Sequence, residues 1–187
     1  TAWLTGLGLR PLTAAKIAGI SDFLTVLVLG VIVYYITKYF IIRIIKRIAV
    51  KTASNWDDAL LEHKVFQRMA FLIPGILIYQ SIPVTLDEFP GFIATALKLT
   101  NLYIIIVFLL IINSFLNAVY AMYQKSEFAL YHPIKGYIQI AKIIVFIVVF
   151  LLILSLLFNQ SPLYMLTGLG AFSAVLLLIF KDPILGF

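Results

Sequence analysis

Side chains able to do chemistry are scarce in this 187-residue sequence, and they lie at the ends of its long apolar runs. There is no cysteine, so disulfides, thiolate metal sites and thiol nucleophiles are excluded. The two histidines, His63 and His132, lie outside the middle of any apolar run, which leaves a hydrolytic nucleophile without a base. We therefore expect no enzymatic activity, no cofactor and no metal site.

The acidic residues are placed in the same way. Carriers coupled to protons or sodium usually have Asp, Glu or His at the middle of the bilayer. Here every acid lies at or beyond the end of an apolar run: Asp22, Asp57, Asp58, Glu62, Asp87, Glu88, Glu127 and Asp182. The sequence therefore lacks the usual machinery of a coupled transporter.

The apolar runs predict an all-α integral membrane protein. Hydrophobic residues make up 63% of the chain and charged residues 12%, whereas a soluble domain is about half apolar and about a quarter charged. Crossing about 30 Å of hydrocarbon takes roughly 20 apolar helical residues. On that measure we expect five spans, over about 23–42, 66–84, 96–120, 134–158 and 162–180. Ser161 is predicted as the N-cap of the fifth helix, with Pro162 at its first position.

The basic residues predict the orientation of these spans. Cytoplasmic connections carry an excess of Lys and Arg. Most of the basic residues fall in the first and third connections and after the last span, and only Arg10, Lys16 and Lys98 lie on the other side. The N-terminus is therefore expected outside and the C-terminus in the cytoplasm.

A basic cluster ends the first span at Arg43, Lys46 and Arg47. Long basic side chains at this position extend to the interface beside tyrosines, and they are expected to contact membrane lipids rather than to sense voltage. Since the basic residues of the chain flank apolar spans and form no separate basic face, nucleic acid is not expected as a partner.

Polar residues inside the spans favour helix packing. Pro74, followed by Gly75, is expected to kink the second span. Asn113 and Asn117 share one helix face and can bond to a neighbouring helix. Structural packing is the favoured interpretation, and a solute site is the alternative.

The fifth span has small residues in its first half and large apolar residues in its second. Small residues allow membrane helices to approach closely, and Gly168, Gly170 and Ser173 are predicted for this packing. One interpretation is a helix buried inside a single bundle. The other is a ring of identical helices around a pore. Helical spacing then places Ala171, Ala174 and Leu178 on one stripe toward the axis, with Lys181 or Asp182 at the next level. A ring of Leu178 would form a hydrophobic constriction.

The sequence GLGAFSAVLLLIFKDPILG over residues 168–186 resembles the pore helix of the small-conductance mechanosensitive channels, in their miniconductance branch. NQSP at 159–162 and WDD at 56–58 add weaker support. The resemblance implies a homoheptamer whose last helix lines a central pore. It implies a gate at Leu178 with Ala174 at the neighbouring level, and a bend near Asp182 and Pro183. Some relatives have a glycine at the bend and a second leucine where this chain has Ala174.

The resemblance also implies a function. Membrane tension would open the channel, which would release ions and small solutes on hypo-osmotic shock from the bacterial inner membrane; plastid and mitochondrial membranes are alternatives. Residues 1–130 would form peripheral sensor helices, 131–161 the fourth helix with its turn, and 162–187 the pore helix. A cytoplasmic β-rich domain outside this sequence is expected. The alternatives are a small-solute exporter or carrier and a non-conducting membrane anchor or assembly subunit.

Overall fold

The computed structural model describes residues 11–49, 55–126, 129 and 133–186, and within these the side chains of 13, 16–43, 58–126, 129, 133–183 and 185–186. The described residues form seven helices. They are α1 (Pro11–Ala49), α2 (Asn55–Glu62), α3 (Val65–Met69), α4 (Leu72–Thr85), α5 (Pro90–Gln124), α6 (Lys135–Phe158) and α7 (Pro162–Leu185).

Among the described residues, five helical segments are long and apolar enough to cross a membrane, which is the number of spans predicted. They are Lys16–Arg43, Val65–Thr85, Pro90–Gln124, Lys135–Phe158 and Pro162–Pro183. The helices that contain the first and third spans are longer than expected, since α1 has 39 residues and α5 has 35. The short helix α2 was not predicted. The orientation of the spans stays a prediction.

The second span is interrupted, as its proline predicts. It consists of α3 and α4, which are separated at Ala70 and Phe71. Pro74 has no N–H, so it cannot donate to the carbonyl of Ala70 four residues earlier, and the helix breaks there. The carbonyl of the next residue, Phe71, accepts a hydrogen bond of 3.0 Å from the Tyr103 hydroxyl of α5. The interruption therefore lies four residues before Pro74 and is held against α5.

Helices α1 to α5 form one bundle. Helix α1 packs on α4, α4 packs on α5, and the short helices α2 and α3 also contact α5. Two buried apolar clusters lie in the bundle, one formed by Ala59, Val65 and Ala118 and the other by Ile82, Leu86 and Ala96. The packing contacts therefore connect all five helices of the bundle.

Gly75 is a point of very close approach inside this bundle. A Cβ built at Gly75 would lie 2.8 Å from Cε1 of Tyr103, closer than a carbon contact allows. We expect Gly75→Ala to destabilise the bundle by about 1–3 kcal/mol, because Tyr103 would have to move. Equilibrium unfolding in mixed detergent micelles measures this. Gly136→Ala is the matched control, since a Cβ at Gly136 meets nothing within 4 Å; equal stability of the two variants would contradict the packing.

Arg68 of α3 reaches into the middle of α5. Its Nη1 donates to the carbonyl of Leu110 at 2.7 Å. A helical serine commonly donates to the carbonyl four residues earlier, which for Ser114 is this same carbonyl. A carbonyl has two lone pairs, and the helical N–H and Arg68 use both. The Ser114 hydroxyl is buried. Because the Leu110 carbonyl is already used, this hydroxyl has no hydrogen-bond partner among the described residues.

Removing that hydroxyl should stabilise the protein. We expect Ser114→Ala to raise the free energy of unfolding by about 1 kcal/mol, since an unpaired buried hydroxyl is unfavourable. Unfolding in mixed micelles is again the measurement. Ser81→Ala provides the comparison, because the Ser81 hydroxyl donates to the Leu77 carbonyl at 2.8 Å. Its removal should not raise the free energy of unfolding. A loss of stability in Ser114→Ala would mean that the hydroxyl has a partner.

Helices α6 and α7 form a tight antiparallel hairpin. Asn159 ends α6 in the left-handed conformation at φ 53°, which asparagine tolerates better than most residues. The Ser155 hydroxyl donates to the Gln160 carbonyl, and the Gln160 N–H donates to the Ser155 carbonyl at 3.1 Å. Ser161 accepts from the Tyr164 N–H at 3.2 Å, and Pro162 starts the helix, so the predicted cap is confirmed.

Candidate functional site

Helix α7 is exposed along its whole described length. Of its described side chains, only Met165 is half-buried, and the others are exposed on every face. Leu178 has 72% of its surface exposed and Leu177 has 69%. Among the described helices, α7 contacts α6 alone. A continuous apolar surface of this kind needs either lipid or other protein to cover it.

The predicted stripe lies together on one side of α7. Ala174, Leu178 and Lys181 line a shallow groove of about 340 Å³, together with Leu177 and Leu185. The groove has almost no polar surface apart from the lysine end. Ala171 lies one turn before Ala174 on the same face but does not line the groove. The side chains assigned to the gate and the pore lining are thus brought onto one face of a single helix.

The two glycines of α7 lie on either side of this stripe. At about 100° of rotation per residue, Gly168 lies about 80° to one side of Leu178 and Gly170 about 80° to the other. A Cβ built at either glycine would meet nothing within 4 Å. Glycine inside a helix is less favourable than alanine by about 1 kcal/mol. No contact among the described residues explains their presence.

The glycines of the bundle show the contrast. A Cβ at Gly30 of α1 would lie 3.6 Å from Cβ of Pro74, and one at Gly75 would collide with Tyr103. Those glycines allow helices of the same chain to approach each other. Gly91 and Gly136 are also open, but both lie in the first turn of a helix. Gly168 and Gly170 are therefore the open glycines inside a helix among the residues that the structure describes.

Ser173, the third residue predicted for packing, is exposed and bonds within its own helix. Its hydroxyl donates to the Leu169 carbonyl at 2.8 Å, and the Thr167 hydroxyl donates to the Leu163 carbonyl at 2.9 Å. Both hydroxyls are satisfied without another helix, so this part of α7 can face lipid or a close neighbour without an unpaired polar group.

The proposed hinge residues lie inside α7. The helix continues through Asp182 and Pro183 and ends at Leu185, where the Gly186 N–H donates to the Asp182 carbonyl at 2.8 Å. Pro183 cannot donate to the carbonyl of Ile179, so one helical bond is missing here. A bend at Asp182 and Pro183 stays a prediction.

The basic cluster at the end of the first span is described in part. The Arg43 guanidinium is exposed, donates to the Tyr39 hydroxyl, and lies 4.3 Å from the centroid of the Tyr39 ring. Lys38 lies over Tyr34 at 5.7 Å from the ring centroid. The side chains of Lys46 and Arg47 lie outside the described residues. The described part fits basic side chains held by interfacial aromatic rings.

For one polar contact between helices, the sequence predicted one partner but not the other. The Lys142 ammonium of α6 donates to Oδ1 of Asn117 of α5 at 2.5 Å. A bond from Asn117 across helices was expected, but its partner was not. The available signal was a lone lysine two turns inside an apolar helix, because such a charge needs a polar partner.

Comparison with known proteins does not assign this chain. No family model matches the sequence, and no solved structure matches the fold. Among the described residues, no three His, Asp or Glu side chains lie together as a metal ion would require. The role of α7 must therefore be inferred from its own residues.

Proposed function

We propose that several copies of this chain form a membrane channel that opens under tension and passes ions and small solutes. The observation that carries this proposal is the exposed helix α7. Its apolar stripe has a glycine on each side, and the space beside each glycine is empty among the described residues. A helix buried in a single bundle would use its glycines within the chain, as Gly30 and Gly75 do. The alternative of a buried fifth helix is therefore not supported.

A ring of copies fits this arrangement. In a closed ring each subunit contacts two neighbours through two different surfaces. The glycines on both flanks of the stripe allow both neighbours to approach α7 closely. The stripe then faces the axis. The number of seven subunits comes from the resemblance to the small-conductance mechanosensitive channels, as does the placement in a bacterial inner membrane.

Leu178 is proposed as the gate of this pore. A narrow ring of leucines excludes water and thereby ions without full steric closure. Ala174 and Ala171 form wider levels before it, and Lys181 follows it as a ring of positive charge that favours anions. Asp182 and Pro183 supply the proposed hinge beyond the gate.

The bundle of α1 to α5 is proposed as the tension sensor. Its outer helix α1 exposes large apolar side chains along its length, such as Leu24, Val28 and Phe40, which suit contact with lipid tails. Tension multiplied by the increase in membrane area favours the wider state of the ring. No ligand is required for such opening.

The carrier alternative has less support. It would need a polar cavity around Asn113 and Asn117. The Asn117 side-chain oxygen already accepts a hydrogen bond from Lys142, so it is not open to a solute.

Recording from purified protein in stretched liposome patches tests the proposal. We expect unitary current steps that appear with suction, and native mass spectrometry should show a closed ring of copies. A monomer that gives saturable solute flux without current steps would favour the carrier, and a monomer with neither activity would favour the anchor.

A further inference from the structure

The bundle and the α6–α7 hairpin meet at one interface. Among the described helices, α7 contacts α6 alone, and α6 contacts only α7 and α5. Helices α1 to α4 therefore have no direct contact with the hairpin. A displacement of the bundle can reach α7 through the packing of α5 against α6 and through the chain segment that joins these two helices.

A charged hydrogen bond crosses this interface between two apolar helices. Lys142 lies seven residues after the start of α6, and Asn117 lies seven residues before the end of α5. At 1.5 Å per residue, each lies about 10 Å inside its helix end. Both residues are half-buried, and the bond between them is 2.5 Å long.

Neither helix of this pair supplies a counter-ion for the lysine. Neither α5 nor α6 contains an Asp or Glu. A half-buried lysine on an apolar helix is unfavourable unless a polar group accepts a hydrogen bond from it, and a hydrogen bond from a charged donor is stronger than a neutral one. Sliding α6 along α5 would break this bond, and a slip of one turn would bring the ammonium toward Asn113 on the same face of α5. The bond therefore fixes the register of the two helices.

We propose that Asn117 and Lys142 are positioning residues that lock α6 to α5, so that a movement of the bundle is transmitted to the pore helix instead of being lost by slippage. This inference rests on the proposed channel function. It assigns the transmission step to one pair of side chains, neither of which lies on the pore stripe.

The first arm of the test measures the tension response. Asn117→Ala and Lys142→Met should each raise the tension needed for opening, so that the ratio of open to closed channels at a fixed tension falls about 5-fold or more. The double variant should do little more than either single variant, because the same bond is lost. Unitary conductance should not change. The swap of Asn117→Lys with Lys142→Asn should restore the wild-type threshold.

Matched controls exist on the same helices. Asn113→Ala removes an amide one turn from Asn117, and Lys135→Met removes a charge from the exposed start of α6. Both should leave the threshold unchanged. Additive effects of the two single variants, or a swap that assembles normally but does not restore the threshold, would overturn the proposal.

The second arm measures the interface without conduction. The chain has no cysteine, so spin labels can be placed at Phe92→Cys on α5 and Ile144→Cys on α6, both exposed positions. The labelled protein is diluted with unlabelled protein in nanodiscs so that distances within one chain dominate. The distance distribution should broaden in Asn117→Ala and Lys142→Met and stay narrow in the controls.

The two arms separate the possible failures. Unchanged distances in both variants would show that the bond does not fix the interface, which overturns the inference while the channel function stands. Absence of stretch-activated current in the wild-type protein would remove the proposed function and the transmission role together. The distances would still decide whether the lock exists.

Discussion

Replacing Leu178 by serine is expected to produce channels that open at clearly lower membrane tension and that impair growth. Leu178 is 72% exposed on α7 and lines the apolar groove. Burying or exposing a leucine side chain changes free energy by about 1.5–3 kcal/mol, and a ring of serines would let water enter the constriction at little cost. Suction thresholds in patches of liposomes or spheroplasts measure the effect.

Leu176→Ser is the matched control for the gate. Leu176 is the same residue type two positions away, on about the opposite side of the helix from Leu178. It does not line the groove. Its substitution should shift the threshold far less. If Leu178→Ser leaves the threshold unchanged, or if both variants shift it equally, Leu178 is not the gate.

Leucine at Gly168 or Gly170 is expected to break up the ring without unfolding the chain. A Cβ at either position meets nothing within 4 Å among the described residues, so we expect the fold of the subunit to be retained. In a ring, it would collide with the neighbouring α7, and overpacking of this kind opposes association by about 1–3 kcal/mol at each interface. Since every interface carries the change, the effect repeats around the ring.

Native mass spectrometry and helical content together check this expectation. Each variant should show smaller assemblies at normal helicity. Gly136→Leu is the control, because Gly136 is equally open but lies at the start of α6, away from the stripe. A full-sized ring with leucine at both Gly168 and Gly170 would show that α7 does not pack against copies of itself there.

The spans could be predicted from the sequence because their signal is local. An apolar run long enough to cross a bilayer, a Ser161–Pro162 start and the proline of the second span each act within a few residues. Helix α2 has no such signal. It is a short segment of eight residues that contacts α5, and its mixed composition alone does not select a helix.

The contacts between helices could not be predicted in the same way. Arg68 resembles any basic residue at a membrane edge, yet it bonds to the Leu110 carbonyl 42 residues away. Small residues in a span predict close packing but do not say whether the neighbour is in the same chain. That distinction required the helix positions, which fill the space beside Gly75 and leave it empty beside Gly168 and Gly170.

The length of the first membrane helix has a consequence for the lipid that surrounds the protein. Its span Lys16–Arg43 has 28 residues, about 42 Å of helix against about 30 Å of hydrocarbon, and the charged residues Asp22 and Lys38 lie within it. A helix longer than the hydrocarbon is thick can lean over in the bilayer, and it leans further in a thinner bilayer. Stretching thins a bilayer, and so do short acyl chains. Host lipids with shorter tails should therefore increase the tilt of the first helix, as tension does.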